Sequence, residues 1–443
     1  MYPNLYYVLK DWFGVKWEAL QLLWTFGVMV ALSFLVAALV IAAELKRKER
    51  MGLLLATEEM ITVGKPASIA ELLTNFIFGF LFGFKILGLF FSKPEMMSAQ
   101  EFIFSREGSL LGGLLGGLAL AGMKWYEKNK QQLKEPETRV IRIWPHDRVG
   151  DIVVLGLLFG ILGAKLFDNF EHWDDFVAHP LQRLFSQSGL TFYGGLIVAA
   201  IAICWYAYKK NIKLKHLMDA AAPALMIAYA LGRIGCQVSG DGDWGIYNSA
   251  YVSDSLGNVR LAKAGEFEEG LKKNATYYLQ GAFIEDNKIV YVTDRTYSSL
   301  DKVPRSSAVA PSFLPVWMFA YTYPQNVNKD GRLMPGIADE HNRVLPSPVF
   351  PTPLYETLIC LFLFGVLWLF RKKIKAPFLM FGIYLMMNGA ERFSIEMMRV
   401  NRQYASAGYS LTQAEMIAII LIISGLVLSV YAKLSYKKEN AGS

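Results

Sequence analysis

Long apolar runs alternate with short polar segments along almost the whole chain. Each of nine runs approaches the roughly 20 residues that an α-helix needs to cross the hydrocarbon core of a bilayer. The pattern predicts membrane-spanning helices at about 20–43, 67–92, 108–125, 149–168, 190–208, 218–238, 354–370, 377–397 and 412–432. The expected fold is an all-α polytopic membrane protein with these nine transmembrane helices.

The composition agrees with a membrane protein and excludes several other classes. Hydrophobic residues make up 53% of the 443 positions and charged residues only 19%, whereas a soluble domain carries about 25% charge. A disordered chain and a disulfide-rich secreted scaffold are both excluded. The net charge of +7 raises the question of a nucleic-acid partner, which the distribution of the charge answers.

Lysine and arginine are concentrated in every second loop. Five polar segments contain three to seven basic residues each, and the four short segments between them contain one or two. Because basic loops stay on the cytoplasmic side of a membrane, the N-terminus is predicted outside and the C-terminus inside. Topology thus accounts for the basic charge, and no nucleic-acid partner is expected.

One long hydrophilic stretch interrupts the pattern, and by the same rule it is extracytoplasmic. Residues 246–349 are predicted to form a small mixed or β-containing insertion, since the run GAFIEDNKIVYVTDRTY at 281–297 is typical of two strands around a turn. We find no catalytic motif in this segment. Capping a site, binding a protein and having neither role all stay open.

The second and third predicted spans resemble the fourth and fifth. The matches are separated by 80 to 82 positions and comprise LFGFK (81–85) with ILGAK (161–165), FSREG (104–108) with FSQSG (185–189), and Gly112-Gly113-Leu114 with Gly194-Gly195-Leu196. The pattern indicates an extra copy of one helical hairpin. The alternative is convergence, because small residues at this spacing let membrane helices pack closely.

The predicted organisation is 1–43 (N-terminal arm and first span), 67–125 (extra hairpin), 149–245 (core spans), 246–349 (insertion) and 350–443 (C-terminal core spans).

Charged residues inside predicted spans are the candidate chemistry, because they are costly in a membrane and usually paired or functional. Arg233 lies in the sixth span, and Arg392, Glu396 and Arg399 project from one face of the eighth. An ion pair that holds two helices together explains Glu396 well. It leaves an excess of cations, so it explains the arginines poorly.

These polar residues are predicted to share one level, in the outer half of the bilayer. Arg233 and Arg392 lie near the outer ends of the sixth and eighth spans. Tyr193 and the Tyr355-Glu356 pair lie at the beginnings of the fifth and seventh spans, which are also their outer ends. Arginine is permanently charged and binds phosphate oxygens bidentately. The pattern therefore favours a site for the phosphate of a lipid head group.

Several motifs resemble those of the prolipoprotein diacylglyceryl transferase family. Gly232-Arg233-Ile234-Gly235, followed by a Gly-rich turn through Gly240 and Gly245, is similar to the family signature. The other similar segments are TFYGGLI (191–197), PTPLYE (351–356) and ERFSIEMMR (391–399), together with Asp219. The resemblance covers about 18–43, 149–245 and 350–433, a little over half of the chain.

The chain also departs from the family pattern. Tyr193 stands where the family has a histidine, Phe26 where an aromatic hydroxyl is common, and Cys236 where a polar residue, often asparagine, is found. The turn GDGDWG is one residue longer than the usual form. These departures concern the assignment of proton transfer more than the assignment of phosphate binding.

The resemblance implies transfer of a diacylglyceryl group from phosphatidylglycerol to the lipobox cysteine next to the signal peptide of a prolipoprotein. The enzyme would lie in the cytoplasmic (inner) membrane of a bacterium with its site facing outward, and would need no cofactor and no metal. Residues expected to bind the lipid are Arg233, Arg392, Arg399, Gly194, Gly195, Gly240 and Gly245. Supporting residues are Asp219, Tyr355, Glu356, Phe26 and Cys236. The expected catalytic residues are Arg233, Arg392, Tyr193 and Glu396, with the base left open between Tyr193 and Glu396.

Two functions of other classes remain as alternatives. A transporter or channel for an anionic solute would use the same arginines for selectivity, and Lys85 and Lys165, which lie deeper in their spans, favour it. A non-catalytic lipid-binding scaffold is the third possibility. The clustering of polar groups at one level argues against a transport route.

Overall fold

The computed structural model describes residues 1–91, 102, 106–184, 191–285, 287–337, 339–399, 403–406 and 409–441. In these ranges the chain is mostly helical. The helices are α1 (Leu5–Phe13), α2 (Thr25–Arg50), α3 (Ile69–Phe91), α4 (Leu110–Lys130), α5 (Val149–Glu171), α6 (Trp173–Ala178), α7 (Pro180–Leu184), α8 (Phe192–Lys209), α9 (Leu214–Ser239), α10 (Glu266–Lys273), α11 (Ala275–Gln280), α12 (Thr352–Phe370), α13 (Leu379–Glu396) and α14 (Gln413–Ala441).

A helix occupies the place of every predicted span. By length and apolar composition, six helices of the described part could cross a membrane: Thr25–Arg50, Ile69–Gly88, Pro145–Glu171, Leu214–Ser239, Thr352–Phe370 and Gln413–Lys438. Tyr193–Lys209 is a shorter apolar helix. The chain is therefore a multi-pass membrane protein, while the count of nine spans and their orientation stay predictions.

The strands of the described ranges pair in twos and are mostly short. They are β1 (Thr57–Val63), β2 (Glu137–Ile143), β3 (Tyr247–Asn248), β4 (Tyr251–Ser253), β5 (Val259–Leu261), β6 (Ala282–Glu285), β7 (Lys288–Tyr291), β8 (Arg305–Ser306), β9 (Arg332–Leu333), β10 (Arg343–Val344), β11 (Gln403–Ser406) and β12 (Tyr409–Thr412). All six pairs are antiparallel except β3 with β8.

The 246–349 insertion has the mixed structure that its sequence predicts. It contains β3 to β10 and two short helices, and the expected hairpin is formed by β6 and β7, with Ile284 opposite Ile289. A tightly packed aromatic core holds it together, in which Tyr277 and Tyr278 are at most 3% exposed. The segment therefore folds around an aromatic core, to which Trp244 of the preceding turn and Met1 also contribute.

A two-stranded ribbon joins segments that the sequence pattern assigned to loops. Strand β1 pairs with β2 over seven residues, from Thr57 opposite Ile143 to Val63 opposite Glu137. The partners are about 80 positions apart, so no local turn signal marks them. Helices α3 and α4 lie between the two strands in the sequence. The pairing of the strands therefore brings the start and the end of this helical hairpin together.

The chain divides into two compact units. The first unit comprises residues 1–14, 24–40 and 218–443, and the second comprises 15–23 and 41–217. In the first unit, α9, α12 and α13 pack around a buried core that includes Met226, Cys360 and Met380. Helices α13 and α14 approach closely because Gly382 and Gly389 lack side chains that would overlap α14.

In the second unit the helices form two hairpins with matching contacts. A Cβ atom added at Gly83 of α3 would overlap the carbonyl oxygen of Gly112 on α4, and one added at Gly163 of α5 would overlap that of Gly194 on α8. Close backbone approach is what small residues permit between membrane helices. The FSQSG segment lies outside the described residues, and so do the first two residues of FSREG.

Candidate functional site

Three arginines of the first unit meet around two carboxylates. Arg233 on α9 forms ion pairs with Asp243 and with Glu356 Oε2. Arg392 Nη1 and Arg399 Nη1 lie 3.7 and 3.6 Å from Glu356 Oε1, and Arg399 also pairs with Asp243. We call these five residues the arginine cluster. It joins the C-terminal ends of α9 and α13 to the first turn of α12.

The Gly-rich turn after α9 brings the cluster together. Gly240 and Gly242 have φ values of 69° and 72°, which favour glycine. At Gly245 a Cβ atom would lie 2.8 Å from the carbonyl oxygen of Met398. Thr352 Oγ1 donates a hydrogen bond of 2.6 Å to the carbonyl of Asp243. The turn is thus held against the start of α12 and the segment after α13, which positions the Asp243 carboxylate.

Together with the neighbouring Glu396, the three arginines of the cluster have three carboxylate partners, contrary to the excess of cations expected from the sequence. Glu396 lies 3.3 Å from Arg392, so three arginines face three carboxylates: Asp243, Glu356 and Glu396. The local pattern on α13 could not reveal this, because Asp243 and Glu356 come from other elements. A further carboxylate, Glu391, is only 4% exposed, and neither of its oxygens has a hydrogen-bond partner among the described residues.

Two guanidinium groups keep unused donors in this buried place. Nη1 of Arg392 and Nη1 of Arg399 make no hydrogen bond to any residue the structure describes, and neither does the nearby Oε1 of Glu356. Leaving a buried donor without an acceptor costs about 1–3 kcal/mol, and more when the group is charged. Both nitrogens are ion-paired with Glu356 Oε1 at 3.6–3.7 Å, and their N–H groups stay available to the oxygens of a bound anion.

The two aspartates of the turn are in different electrostatic states. Burial, together with the neighbouring Asp243, raises the pKa of Asp241 to about 6. Burial alone would also raise the pKa of Asp243, but Arg399 and Arg233 outweigh it and hold that pKa below its ordinary value. Asp243 is therefore a stable counter-ion of the arginines, whereas Asp241 titrates in the mildly acidic range.

The supporting residues of the first unit contact the cluster or its surroundings. Cys236 is buried, with Sγ 3.7 Å from both Arg233 and Asp241. Tyr355 donates a hydrogen bond of 2.6 Å to the carbonyl of Met318. The ring of Phe26 lies next to Gly235, where a Cβ atom would approach it to 3.2 Å.

Tyr229 is a cluster neighbour that the sequence analysis missed. Its hydroxyl donates a hydrogen bond of 3.1 Å to Glu356 Oε2, and its ring lies 5.3 Å from the guanidinium carbon of Arg233. The available signal was its position, four residues before Arg233 on the same helical face. Tyr229 helps to orient both of these side chains.

Asp219 lies at the opposite end of α9 from the arginine cluster. Fourteen residues at 1.5 Å per residue separate it from Arg233 by about 21 Å. Its carboxylate accepts hydrogen bonds of 3.1 Å from the backbone N–H groups of Phe378 and Phe381. Asp219 therefore caps the N-terminus of α13, which is a structural contribution.

The remaining predicted residues belong to the second unit. Tyr193 is half-buried in the first turn of α8. Gly194 and Gly195 are packed against α5, where added Cβ atoms would lie 2.7 Å from the carbonyl oxygens of Gly163 and Gly160, respectively. Helix packing accounts for both glycines, and their predicted contact with a lipid head group stays a prediction.

Comparison with known proteins identifies the family. The family model described as "Prolipoprotein diacylglyceryl transferase" matches residues 130–431. A protein of Shouchella clausii is 24% identical over 294 residues, covering 66% of this chain and 78% of that protein. A protein of Leptospira interrogans is 34% identical over 124 residues, covering 23% and 39%, and one of Enterococcus faecalis is 36% identical over 133 residues, covering 30% and 46%.

All three relatives are named phosphatidylglycerol--prolipoprotein diacylglyceryl transferase. The alignments with the Leptospira and Enterococcus proteins span less than half the length of each. The family model, in contrast, spans more than half of the present chain and includes every residue of the arginine cluster. The chain therefore belongs to the prolipoprotein diacylglyceryl transferase family.

Proposed function

We propose that this protein transfers the diacylglyceryl group of phosphatidylglycerol to the lipobox cysteine of a prolipoprotein. The family and the names of the relatives support this activity. The observation that carries it is the pair of buried guanidinium nitrogens, Nη1 of Arg392 and Nη1 of Arg399, which make no hydrogen bond to any described residue although both lie within 3.7 Å of Glu356 Oε1. A phosphodiester offers two anionic oxygens at the spacing that neighbouring guanidinium groups recognise.

The reaction is a substitution at carbon. The cysteine sulfur bonds to the glyceryl carbon that carries the phosphate, the C–O bond breaks, and its electron pair leaves with glycerol phosphate. A thioether forms, and the thiol proton passes to a base. The thiolate is the reactive form of cysteine, and the arginines stabilise the charge that develops on the departing phosphate.

The carboxylates of the cluster orient the arginines. Glu356 is fully buried and contacts Arg233, Arg392 and Arg399, so it fixes the directions of their donors. Glu396, also fully buried and paired with Arg392, fits the same positioning role better than that of a base. Tyr193 then remains as the candidate for contact with the head group or the thiol.

We place the reaction in the outer half of the cytoplasmic membrane. The cluster sits where α9 and α13 end and α12 begins. The basic loops at the opposite ends of these helices, 209–217 and 371–376, each carry four lysines or arginines. The positive-inside rule then assigns the cluster to the outer side, where a lipoprotein precursor presents its lipobox.

Transport of an anionic solute is less well supported. That alternative depended in part on Lys85, whose Nζ donates hydrogen bonds of 2.6 and 2.7 Å to the carbonyls of Phe102 and Glu107. Lys85 thereby stabilises the end of the extra hairpin. A lysine bound by backbone carbonyls is poorly suited to guide a passing anion.

The decisive experiment measures the mass of a lipobox peptide by mass spectrometry after incubation with the purified protein and phosphatidylglycerol vesicles. We expect a mass increase of one diacylglyceryl group. Arg233→Ala, Arg392→Ala and Arg399→Ala should each lower the rate by at least about tenfold, since a charge-assisted hydrogen bond contributes roughly 1.5–3 kcal/mol. Replacement by lysine should rescue poorly, because the planar fork is lost.

Arg260→Ala is the matched control, because Arg260 forms an exposed ion pair with Glu266 in the insertion and should leave the rate unchanged. Unmodified peptide with the native protein would refute the activity. Near-normal rates in all three cluster variants, with modified peptide, would refute the assignment of the site alone.

A further inference from the structure

The insertion carries an exposed apolar loop. No charged residue occurs between Arg305 and Lys329, and residues 309–318, which we call the apolar tongue, project large side chains into solvent. Phe313 is 81% exposed and Val309 60%, while Trp317 and Val316 are 47% and 40% exposed. Exposed apolar residues clustered in this way mark an interaction surface.

A buried side chain closes both ends of the tongue. Asn248 is fully buried, and its Nδ2 donates hydrogen bonds of 2.8 and 3.0 Å to the carbonyls of Ala308 and Phe319. Its Oδ1 accepts one of 3.2 Å from Ala308 N–H, and Tyr251 Oη accepts one of 2.9 Å from Ala310 N–H. These hydrogen bonds fix the ends of the loop, so the exposure of its apolar side chains is a feature of an ordered structure.

The tongue lies next to the N-terminal end of a membrane helix. Tyr355, in the first turn of α12, donates its hydrogen bond to the carbonyl of Met318 at the foot of the tongue. Helix α12 is long and apolar enough to cross a membrane, so its first turn marks the level of the membrane surface. Tryptophan and other aromatic residues are enriched at that level.

We propose that the apolar tongue inserts into the lipid surface of the membrane beside the N-terminal end of α12. The absence of charge over the whole run suits the boundary between head groups and acyl chains. A protein-docking loop of this length would be expected to carry a polar or charged rim. The tongue thus anchors the insertion at the bilayer.

The test uses an environment-sensitive fluorophore on the full-length protein in lipid vesicles. In a variant with Cys204, Cys236 and Cys360 replaced by alanine, Phe313→Cys is labelled, and Glu269→Cys, on an exposed polar face of α10, is the matched control. Thermal melting of each labelled protein verifies that it is folded. Trp317→Cys provides a second site on the tongue.

We expect the tongue labels to emit at shorter wavelength than the control, to lose emission to a lipid-borne quencher, and to resist aqueous iodide. The Glu269→Cys label should show the reverse behaviour. Iodide quenching of both tongue labels as strong as that of the control would overturn the proposal. Protection from both quenchers would also overturn it, because a second copy or another protein would then cover the tongue.

Discussion

At the residue scale, Glu356 organises the cluster. A single fully buried carboxylate contacts Arg233, Arg392 and Arg399 and accepts a hydrogen bond from Tyr229. Removing one partner of a buried ion network costs about 3–5 kcal/mol, because the charges left behind are uncompensated. The cluster therefore behaves as a unit, and single substitutions within it are expected to be non-additive.

Asp241 makes stability depend on pH. Its pKa of about 6, raised from 3.8, means that the folded protein keeps a proton that the unfolded chain releases between about pH 4 and pH 6. Its favourable contribution is thus present below pH ~4 and is lost as the pH rises through 6. A difference of this size corresponds to roughly 3 kcal/mol.

We expect Asp241→Asn to raise the apparent melting temperature near pH ~7.5 and to flatten its decline between pH ~4 and ~6. Asp254→Asn is the control. Hydrogen bonds from Asn258 lower the pKa of exposed Asp254, so the contribution of Asp254 to stability changes with pH in the opposite direction to that of Asp241. Parallel melting curves for the native protein and Asp241→Asn across this pH range would contradict the prediction.

Substitutions of Tyr193, which stands where the family has a histidine, distinguish between two roles of its hydroxyl group. If its hydroxyl only binds the head group, Tyr193→Phe retains measurable transfer with weaker lipid binding. If it is the base, the same change costs roughly 10²–10⁴-fold in rate. We expect the first outcome, because a phenol in water titrates near ~10 and is a poor base at neutral pH.

Rates measured against pH for the native protein and for Tyr193→His decide between these roles. Histidine titrates near ~6.5, so a basic role would shift the rising limb of the profile toward lower pH in the histidine variant. Such a shift, combined with an inactive Tyr193→Phe, would show that our expectation is wrong.

At the element scale, the two hairpins of the second unit have equivalent contacts. The N–H of Ser109 bonds to the carbonyl of Phe84 at 2.9 Å, and the N–H of Thr191 bonds to that of Ala164 at 3.1 Å. These residues are offset by 82 and 80 positions, as are the paired glycines. We propose that α3 and α4 are a copy of α5 and α8 that contributes no reacting group.

Excision of the extra hairpin tests this proposal. Strands β1 and β2 remain paired up to Val63 and Glu137, so replacing residues 64–136 by Asn-Gly would join them through a two-residue turn. Two helices are removed together, which preserves the orientation of every later span. We expect the shortened protein to accumulate in the membrane and to retain its rate of transfer.

Matched glycine substitutions provide the control. Gly163→Leu should lower the yield and the activity, because it separates α5 from α8, whereas Gly83→Leu should affect only the extra hairpin. A shortened protein that folds, as judged by thermal melting, but no longer modifies the peptide would contradict the copy hypothesis.

At the scale of the whole molecule, the predicted orientation can be measured with reporter fusions. Fusions after Arg50, Lys130, Lys210 and Lys373 should report the cytoplasm, because these residues lie in the basic segments. A fusion at Asn287, in the turn between β6 and β7, should report the outside. A cytoplasmic signal at Asn287 would also move the arginine cluster to the inner side.

The sequence by itself determined where the helices lie and which arginines stand out. Each span is a local property, since about 20 consecutive apolar residues are needed to cross the membrane. The prominence of Arg233 and Arg392 is equally local, because a charge is unusual in such a run. The mixed structure of the insertion followed from short alternating patterns and turn residues.

Tertiary structure alone decided how these residues are paired. Arg233 and Glu356 are 123 positions apart, and only the packing of α9 against α12 brings them together and balances the charge that the sequence left in excess. The same holds for β1 with β2 and for Asp219 with the start of α13. Ion pairs, strand partners and helix caps between distant segments depend on the path of the chain in space, which no local pattern encodes.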